Sequence, residues 1–393
     1  MKIFKFCKFG TAFALSLILT LGITVPAYSR ISDDSLVAGY QLAEIIELIM
    51  NRYVGGPVTV DELLESALRG MTDMLDEYSV YLNAEELRMF SNSLTGRMRG
   101  IGIVLTVRND DRVAISSVLP DSPASYVGLL PGDIISYVDG EFVAGMPLNL
   151  IRARITNPET DWVLLGIERN GTMHTFNIEK AEIISPTVVV ERVEVLPEAH
   201  GLGNVDNFRV MQIRTVGLLT AEDVGSELAK MHEEGVQGII LDLRGNTGGC
   251  LYVTLDLANL LIPQGTVLQT VNHSGNRRTF SSTLPQAPFD NIVVLVDRFT
   301  ASAAEIIASA LQDSGVAVVI GEPTFGKGSV QTVYELLTGG ALFLTTEEYF
   351  RRSGETINNV GVTPCITVTT PRRAGEIDQV LRTGIETLLR GVN

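Results

Sequence analysis

The sequence predicts an α/β multidomain protein on three observations. Apolar residues recur at helical spacing from about residue 30 to 95, at strand spacing from 96 to 184, and in strands alternating with helices from 185 to the end. With 393 residues, 45% hydrophobic and 19% charged, the chain has material for two or three cores and is neither disordered nor fibrous.

Residues 1–29 stand apart from this body. Lys2, Lys5 and Lys8 lead an apolar run over residues 9–25, and Pro26, Ala27, Tyr28 and Ser29 follow. That is the order of a secretory signal, with Ala27 and Ser29 as the small residues before a cut. The run is also long enough for an uncleaved membrane anchor through residues 9–25. Both readings make the body extracytoplasmic, whether secreted, periplasmic or anchored and facing outside. Cys7 precedes the run, which leaves Cys250 and Cys365, too few for a disulfide framework. Two free thiols and a single bridge both fit. The formal charge is −16. An acidic body without a basic stripe repels phosphate backbones, which argues against a nucleic-acid partner.

In the helical region, Leu63, Leu64, Ala67, Leu68, Met71 and Leu75 recur at three- and four-residue steps after a capping-box pattern, Thr59 to Glu62. An earlier helix falls at 35–51, and Gly55-Gly56-Pro57 separates the two. From Gly96 the period becomes two. Strands are predicted at 101–107, 113–118, 132–138 and 163–169, punctuated by turns such as Pro131-Gly132-Asp133 and Asn170-Gly171, with a helix at 147–155. From 185 the alternation begins: strand 236–243, helix 251–261, strand 292–296, helix 302–312 and strand 316–320. Antiparallel strands follow at 329–336 and 341–349, and an amphipathic helix at 376–389 closes the chain.

Three places could carry chemistry. Lys327 is one of only three lysines beyond residue 29, in the glycine-flanked Phe325-Gly326-Lys327-Gly328-Ser329. A surface lysine is its bland reading. A phosphate loop is disfavoured: Gly321 to Lys327 fits its pattern, but Gly328 stands where Ser or Thr should follow and a strand pattern replaces the helix. Ser302 begins a helix after a buried strand, where Ser302 to Glu305 reads as a capping box but where a nucleophile can also project beside free backbone N–H groups. The run from Asp242 to Gly249 is a glycine-rich turn, either a tight strand-to-helix connection or a place where N–H groups meet an anion. His174, His200, His232 and His273 lie in unlike contexts and build no triad; no His-Glu-x-x-His or paired cysteine spacing offers a metal site, and no cofactor motif is present. A serine activated by a lysine needs neither histidine nor metal.

Six segments then occur in one order: Met74 to Leu82 (Met-Leu-Asp-Glu-Tyr-Ser-Val-Tyr-Leu); Gly100-Ile101-Gly102-Ile103; Pro123-Ala124 through Gly128-Leu129 to Pro131-Gly132-Asp133-Ile134-Ile135; the glycine-rich turn; Thr300 to Glu305; and Thr324 to Gln331. In this the chain resembles the carboxyl-terminal processing peptidases, PDZ-containing serine proteases of the Ser-Lys type, along nearly its whole mature length. The resemblance implies a crotonase- or Clp-protease-like α/β core over 185–393, a PDZ domain over 96–184, a helical region over 30–95, and the signal or anchor over 1–29. It implies that Ser302 is the nucleophile, Lys327 the general base and Gln331 the group that orients the lysine. Four residues apart in an extended strand, Lys327 and Gln331 fall on one face. The Ala303 N–H and one N–H of Gly248 or Gly249 make the implied oxyanion hole.

In the PDZ segment, the N–H groups of Gly100, Ile101, Gly102 and Ile103 are placed to receive a terminal carboxylate, with Ile101 and Ile103 lining a pocket or else filling the small core. The expected partners are protein or peptide substrates with apolar C-termini. The flanking helices are the elements through which relatives pair, so a homodimer is the implied assembly. By analogy the PDZ gates the site, ordering Lys327 when a tail is bound. The rival reading is a secreted PDZ adaptor whose protease-like core does not cut or waits for a partner. Departures from the pattern are Thr300 and Ala304 in place of the serines on either side of Ser302, Asn157 to Asp161 in place of a Gly-Thr turn, and Cys365 where an acid is common. A base of this kind must be neutral near pH 7, so burial of Lys327 and activity that rises with pH are expected.

Overall fold

The computed structural model describes residues 31–391 apart from 109–111, 147, 158, 185, 338 and 370–376. The signal or anchor expected over 1–29 lies outside the described residues. The chain divides into two compact units, Met1–Leu75 and Asp76–Asn393.

Among its described residues the first unit holds two helices. Asp33–Arg52 starts at Ser32, whose hydroxyl accepts the Ser35 N–H, and carries Asp33 and Asp34 where the helix dipole favours acids. Val60–Thr72 starts with the predicted capping box: Glu62 Oε2 accepts the Thr59 N–H at 2.8 Å, and Thr59 Oγ1 accepts the Glu62 N–H at 3.2 Å.

The second unit contains a β-rich domain and an α/β core. In the β-rich domain, strands Ile103–Val107, Val113–Val118, Ile134–Val138, Trp162–Arg169 and Thr172–Glu179 form one antiparallel sheet, with Glu141–Phe142 paired at its side. Helix Leu148–Ile155 packs on it through Ile151 and Ile155. Arg97–Gly100 pairs with Ala181–Ile184, so the chain enters and leaves this domain through one two-stranded ribbon. Lys180, buried in the domain, donates to the Asn157 carbonyl and to Thr160 Oγ1. That anchors the turn lacking the Gly-Thr pair.

The core is built on six strands in the order Val188–Arg192, Phe208–Ile213, Gly238–Asp242, Asn291–Val296, Ala317–Gly321 and Ile366–Thr367. All neighbours from Phe208–Ile213 onward are parallel, and only the Val188–Arg192 edge is antiparallel. Side chains alternate between the two faces, as the two-residue period of a strand requires. Ile239, Leu241, Ile292 and Val294 join the cluster under helices Thr220–Glu233, Leu251–Leu261 and Ala303–Asp313. Ile240, Val293 and Leu295 join Val380, Leu381 and Ile385 of the final helix, Gln379–Arg390. Burial on both faces explains why these strands read as apolar runs. A second sheet of five strands runs Val80–Leu82, Ala341–Arg351, Gly265–Asn272 and Arg277–Ser282, with Ser329–Glu335 also on Ala341–Arg351. It pairs the sequence-distant Val80–Leu82 with Ala341–Arg351, the same strand that pairs with the one following Lys327.

Candidate active site

The turn from strand Asn291–Val296 into helix Ala303–Asp313 is tied down before it reaches Ser302. Asp297 Oδ1 accepts the N–H groups of Gly245, Phe299 and Thr300, and Thr300 Oγ1 donates to the Leu243 carbonyl at 3.0 Å. The Ala301 N–H reaches the Asn246 carbonyl at 2.9 Å. Held at both sides, Ser302 adopts φ +55° and ψ −119°. A serine rarely takes such a backbone unless its surroundings impose it, and sharply bent strand-to-helix turns of this kind expose a nucleophile. Ala303 is the first helical residue, so its N–H has no partner within the helix.

The glycine-rich turn packs directly on this serine. A Cβ on Gly248 would stand 2.8 Å from Ser302 Cβ and 3.0 Å from the Ala303 nitrogen, at a φ of +99° that also favours glycine. Asn246, fully buried, donates to the Ile213 carbonyl and accepts the Gly248 N–H at 2.8 Å. The Gly248 N–H is therefore occupied. Among the described residues the Gly249 N–H donates no hydrogen bond, since the bridge beside it uses the Cys250 N–H and the Gly248 carbonyl. Arg244 ties the turn to the final helix, donating to Asp242 and to Asp378. Burial works against the Arg244 charge, but the two carboxylates outweigh it and hold the guanidinium above its ordinary value.

The lysine loop arrives from the other side and meets Glu305. This carboxylate is 0% exposed. Its Oε2 accepts the N–H of Ser302 at 2.8 Å and that of Lys327 at 3.0 Å; its Oε1 accepts the N–H of Gly326 at 2.7 Å and the hydroxyl of Thr324. Burial pushes the carboxyl above its ordinary value, and the four donors offset only part of that rise. Tyr349, itself buried, donates its hydroxyl to the Lys327 carbonyl, and the Tyr349 N–H donates to the Gly328 carbonyl at 2.9 Å. The loop backbone is thus held on its N–H side by Glu305 and on its carbonyl side by Tyr349.

The Lys327 side chain is half-buried. Burial lowers its amine from the ordinary value, and the charges of Asp76, Glu77 and Glu305 act in the opposite sense. The Nζ atom lies 4.5 Å from the centroid of the Tyr78 ring, and among the described residues it makes no hydrogen bond to Ser302. Gln331 lies in strand Ser329–Glu335, where its Nε2 donates to Ser329 Oγ at 2.9 Å and Thr345 Oγ1 at 3.0 Å. Its Oε1 accepts no hydrogen bond from a described residue.

Of the other residues singled out in the sequence, Ile101 is 2% exposed and fills the β-rich domain's core, with the half-buried Ile103 packed against that core. Gly102 turns at φ +84°, where a Cβ would meet Ser122 at 2.2 Å. Gly100 ends the ribbon strand opposite Ala181. Cys250 and Cys365 are free thiols. Among the described residues no group of three or more His, Cys, Asp or Glu side chains is placed to hold a metal ion. Sequence reasoning left Tyr78, Asn246 and Tyr349 without roles and gave Glu305 only that of a cap. Their contacts depend on approaches between segments far apart in the chain, and the local signals were the places of Tyr78, Asn246 and Glu305 in the Met74 to Leu82 segment, the glycine-rich turn and the Thr300 to Glu305 segment.

Residues 207–368 match the model of peptidase family S41, and residues 93–168 match that of the PDZ domain. The chain is 32% identical over 351 residues to the carboxy-terminal processing protease CtpB of Bacillus subtilis, covering 88% of this chain and 71% of the relative. It is 33% identical over 369 residues to a carboxy-terminal-processing protease of Bartonella bacilliformis, covering 91% and 82%. In fold it is similar to a photosystem II D1 C-terminal processing protease (TM-score 0.51, 24% identity, 84% of this chain and 92% of the other). It is also similar to a putative S41 protease from Bacteroides fragilis (TM-score 0.55, 17% identity, 89% and 97%). With a PDZ domain ahead of an α/β core and matches of this extent, the chain belongs to the carboxy-terminal processing proteases of peptidase family S41.

Proposed function

We propose that this protein is an exported serine endopeptidase that selects substrates by apolar C-terminal tails and cleaves them through an acyl-enzyme on Ser302, with Lys327 as general base. The observation that carries the reading is the shared Glu305 oxygen, which joins the backbone of Ser302 to that of Lys327. A strained serine at a helix start and a lysine whose basicity is lowered by burial are thereby fixed to one group.

Neutral Lys327 takes the Ser302 hydroxyl proton as the oxygen attacks the scissile carbonyl, and the resulting ammonium gives that proton to the departing amine. The N–H groups of Ala303 and Gly249 receive the oxyanion, because Gly248 has committed its N–H to Asn246. Gln331, with its Nε2 already committed, offers Oε1 to the ammonium. Water then attacks the acyl-enzyme, with Lys327 again as base. The PDZ domain over 96–184 takes the tail by strand addition near Gly100 to Ile103 and delivers the chain to the core over 185–393. Residues 1–29 direct export or anchor the body, and the helices of 30–95 pair two chains.

The test compares the chain lacking residues 1–29 with its Ser302→Ala form on an unfolded substrate bearing an apolar C-terminus. Cleavage by the first alone, rising from neutral to alkaline pH, supports the reading; equal cleavage by both contradicts it. A second reading, an enzyme silent until a tail or partner binds, is favoured by the Lys327 amine lying on Tyr78 without a bond to Ser302. It predicts that adding a free apolar tail peptide stimulates cleavage of a substrate that lacks one.

A further inference from the structure

Lys327 Nζ sits 4.5 Å from the Tyr78 ring centroid. At that distance the electron-rich face of an aromatic ring attracts a cation and does little for a neutral amine. The ring is well fixed. Asp76 Oδ1 accepts the Tyr78 N–H at 3.0 Å and the Ser79 N–H at 3.1 Å, and it accepts the Thr345 hydroxyl at 2.9 Å. The Thr345 N–H donates to Ser79 Oγ at 3.1 Å, and Thr345 Oγ1 accepts from Gln331. The loop carrying Tyr78 is therefore stitched to the strand beside Gln331, next to the lysine loop.

We infer that Tyr78 is a positioning residue: its ring face is the resting seat of the Lys327 ammonium, holding the base protonated and off Ser302 until it leaves the ring. The inference rests on Lys327 being the base. Burial, and next a hydrogen bond with Glu77, push the Tyr78 phenol up to about 12, so the ring meets the amine as a neutral phenol. The charged groups facing the amine are Asp76 and Glu77 from the ring's own loop and Glu305 from the nucleophile helix. Tyr349, buried and neutral, contributes its hydroxyl to the Lys327 carbonyl. A change confined to the ring face leaves all of these in place. Because the face favours the charged amine, weakening it lowers the pH at which Lys327 becomes neutral.

The test is competitive acylation of amines with acetic anhydride across pH on the full chain, read peptide by peptide by mass spectrometry. Lys180 and Lys230 serve as internal references for fold and reagent. Three forms are compared: wild type, Tyr78→Phe, and the chain with a ring-fluorinated phenylalanine at position 78, which keeps volume but drains the face of electron density. The expected result is a Lys327 midpoint lower by about half to one pH unit in the fluorinated form than in Tyr78→Phe, both of which lack the hydroxyl bonded to Glu77. The same midpoint in the fluorinated and Tyr78→Phe forms overturns the inference. A midpoint that falls while the acid limb of peptide hydrolysis stays put supports the seat and counts against Lys327 as the base, so the two ideas fail separately.

Discussion

Glu305 accepts the Lys327 N–H at 3.0 Å with the same oxygen that accepts the Ser302 N–H at 2.8 Å. One buried carboxylate thus sets the spacing of two loops that come from opposite ends of the helix–strand unit between them. Glu305→Gln replaces one acceptor oxygen with a donor and removes the charge. The lost charge-assisted bonds are worth about 1.5–3 kcal/mol each. The expected result is a fall in kcat of about ten- to a hundredfold with KM little changed, since substrate contacts are untouched. Steady-state kinetics on protein checked by circular dichroism decide it, and an unchanged kcat contradicts the positioning role.

Gly248 and Gly245 lie in the same turn at positive φ, but only Gly248 faces Ser302. A Cβ at Gly245 meets nothing within 4 Å. Gly245→Ala should cost about 1–2 kcal/mol of backbone strain and keep activity. Gly248→Ala should abolish cleavage, because its methyl occupies the space between Ser302 and the Ala303 N–H. Thermal melts paired with cleavage rates separate the two, and comparable activity in both variants contradicts the packing argument.

Arg244 joins the glycine-rich turn to Asp378, which also caps the final helix by accepting the Val380 and Leu381 N–H groups at 3.1 Å. Both side chains are largely buried, so Asp378→Ala leaves a guanidinium short of a partner inside the protein. The expected cost is about 3–5 kcal/mol, with roughly 1 more from the lost cap. It should appear in chemical denaturation as a lower midpoint. A surface-like effect would mean that water replaces the carboxylate.

The Lys327 amine is lowered from its ordinary value by burial. Between its folded value and the unfolded value near 10.5, the unfolded chain binds more protons, so this group's contribution to stability rises with pH. The contribution is complete above the unfolded value and is lost as pH falls through the folded one. Activity should rise over the same limb, because the neutral amine is the base. Lys327→Ala should lose the activity and also flatten that part of the stability profile, which urea titrations at several alkaline pH values would reveal.

The strands that read most clearly in the sequence are those buried on both faces, such as Asn291–Val296, whose apolar run announces it. The capping box at Thr59 was equally legible, because every atom it uses lies within four residues. The hairpin of Gly265–Asn272 and Arg277–Ser282 was passed over. Its second strand is mostly exposed and polar, and its first is fixed by pairing with Ala341–Arg351. The site divides in the same way. Ser302 and Lys327 stand out through local context, whereas Glu305 looks like an ordinary cap until residues 324–327 fold onto it. Gln331 illustrates the limit of spacing arguments: Lys327 precedes the strand Ser329–Glu335 and the pairing shifts register between Val330 and Gln331, so the two do not sit on one face of a regular strand as their spacing implied.

The central claim is that Ser302 reacts and Lys327 controls its reactivity. A serine-directed fluorophosphonate tests both at once, if the labelled residue is identified by mass spectrometry and the labelling rate is followed across pH. The account predicts a single label on Ser302, with a rate that rises along the same midpoint as the Lys327 acylation titration. A label on another residue, or a rate midpoint more than about one unit from that of Lys327, would contradict it.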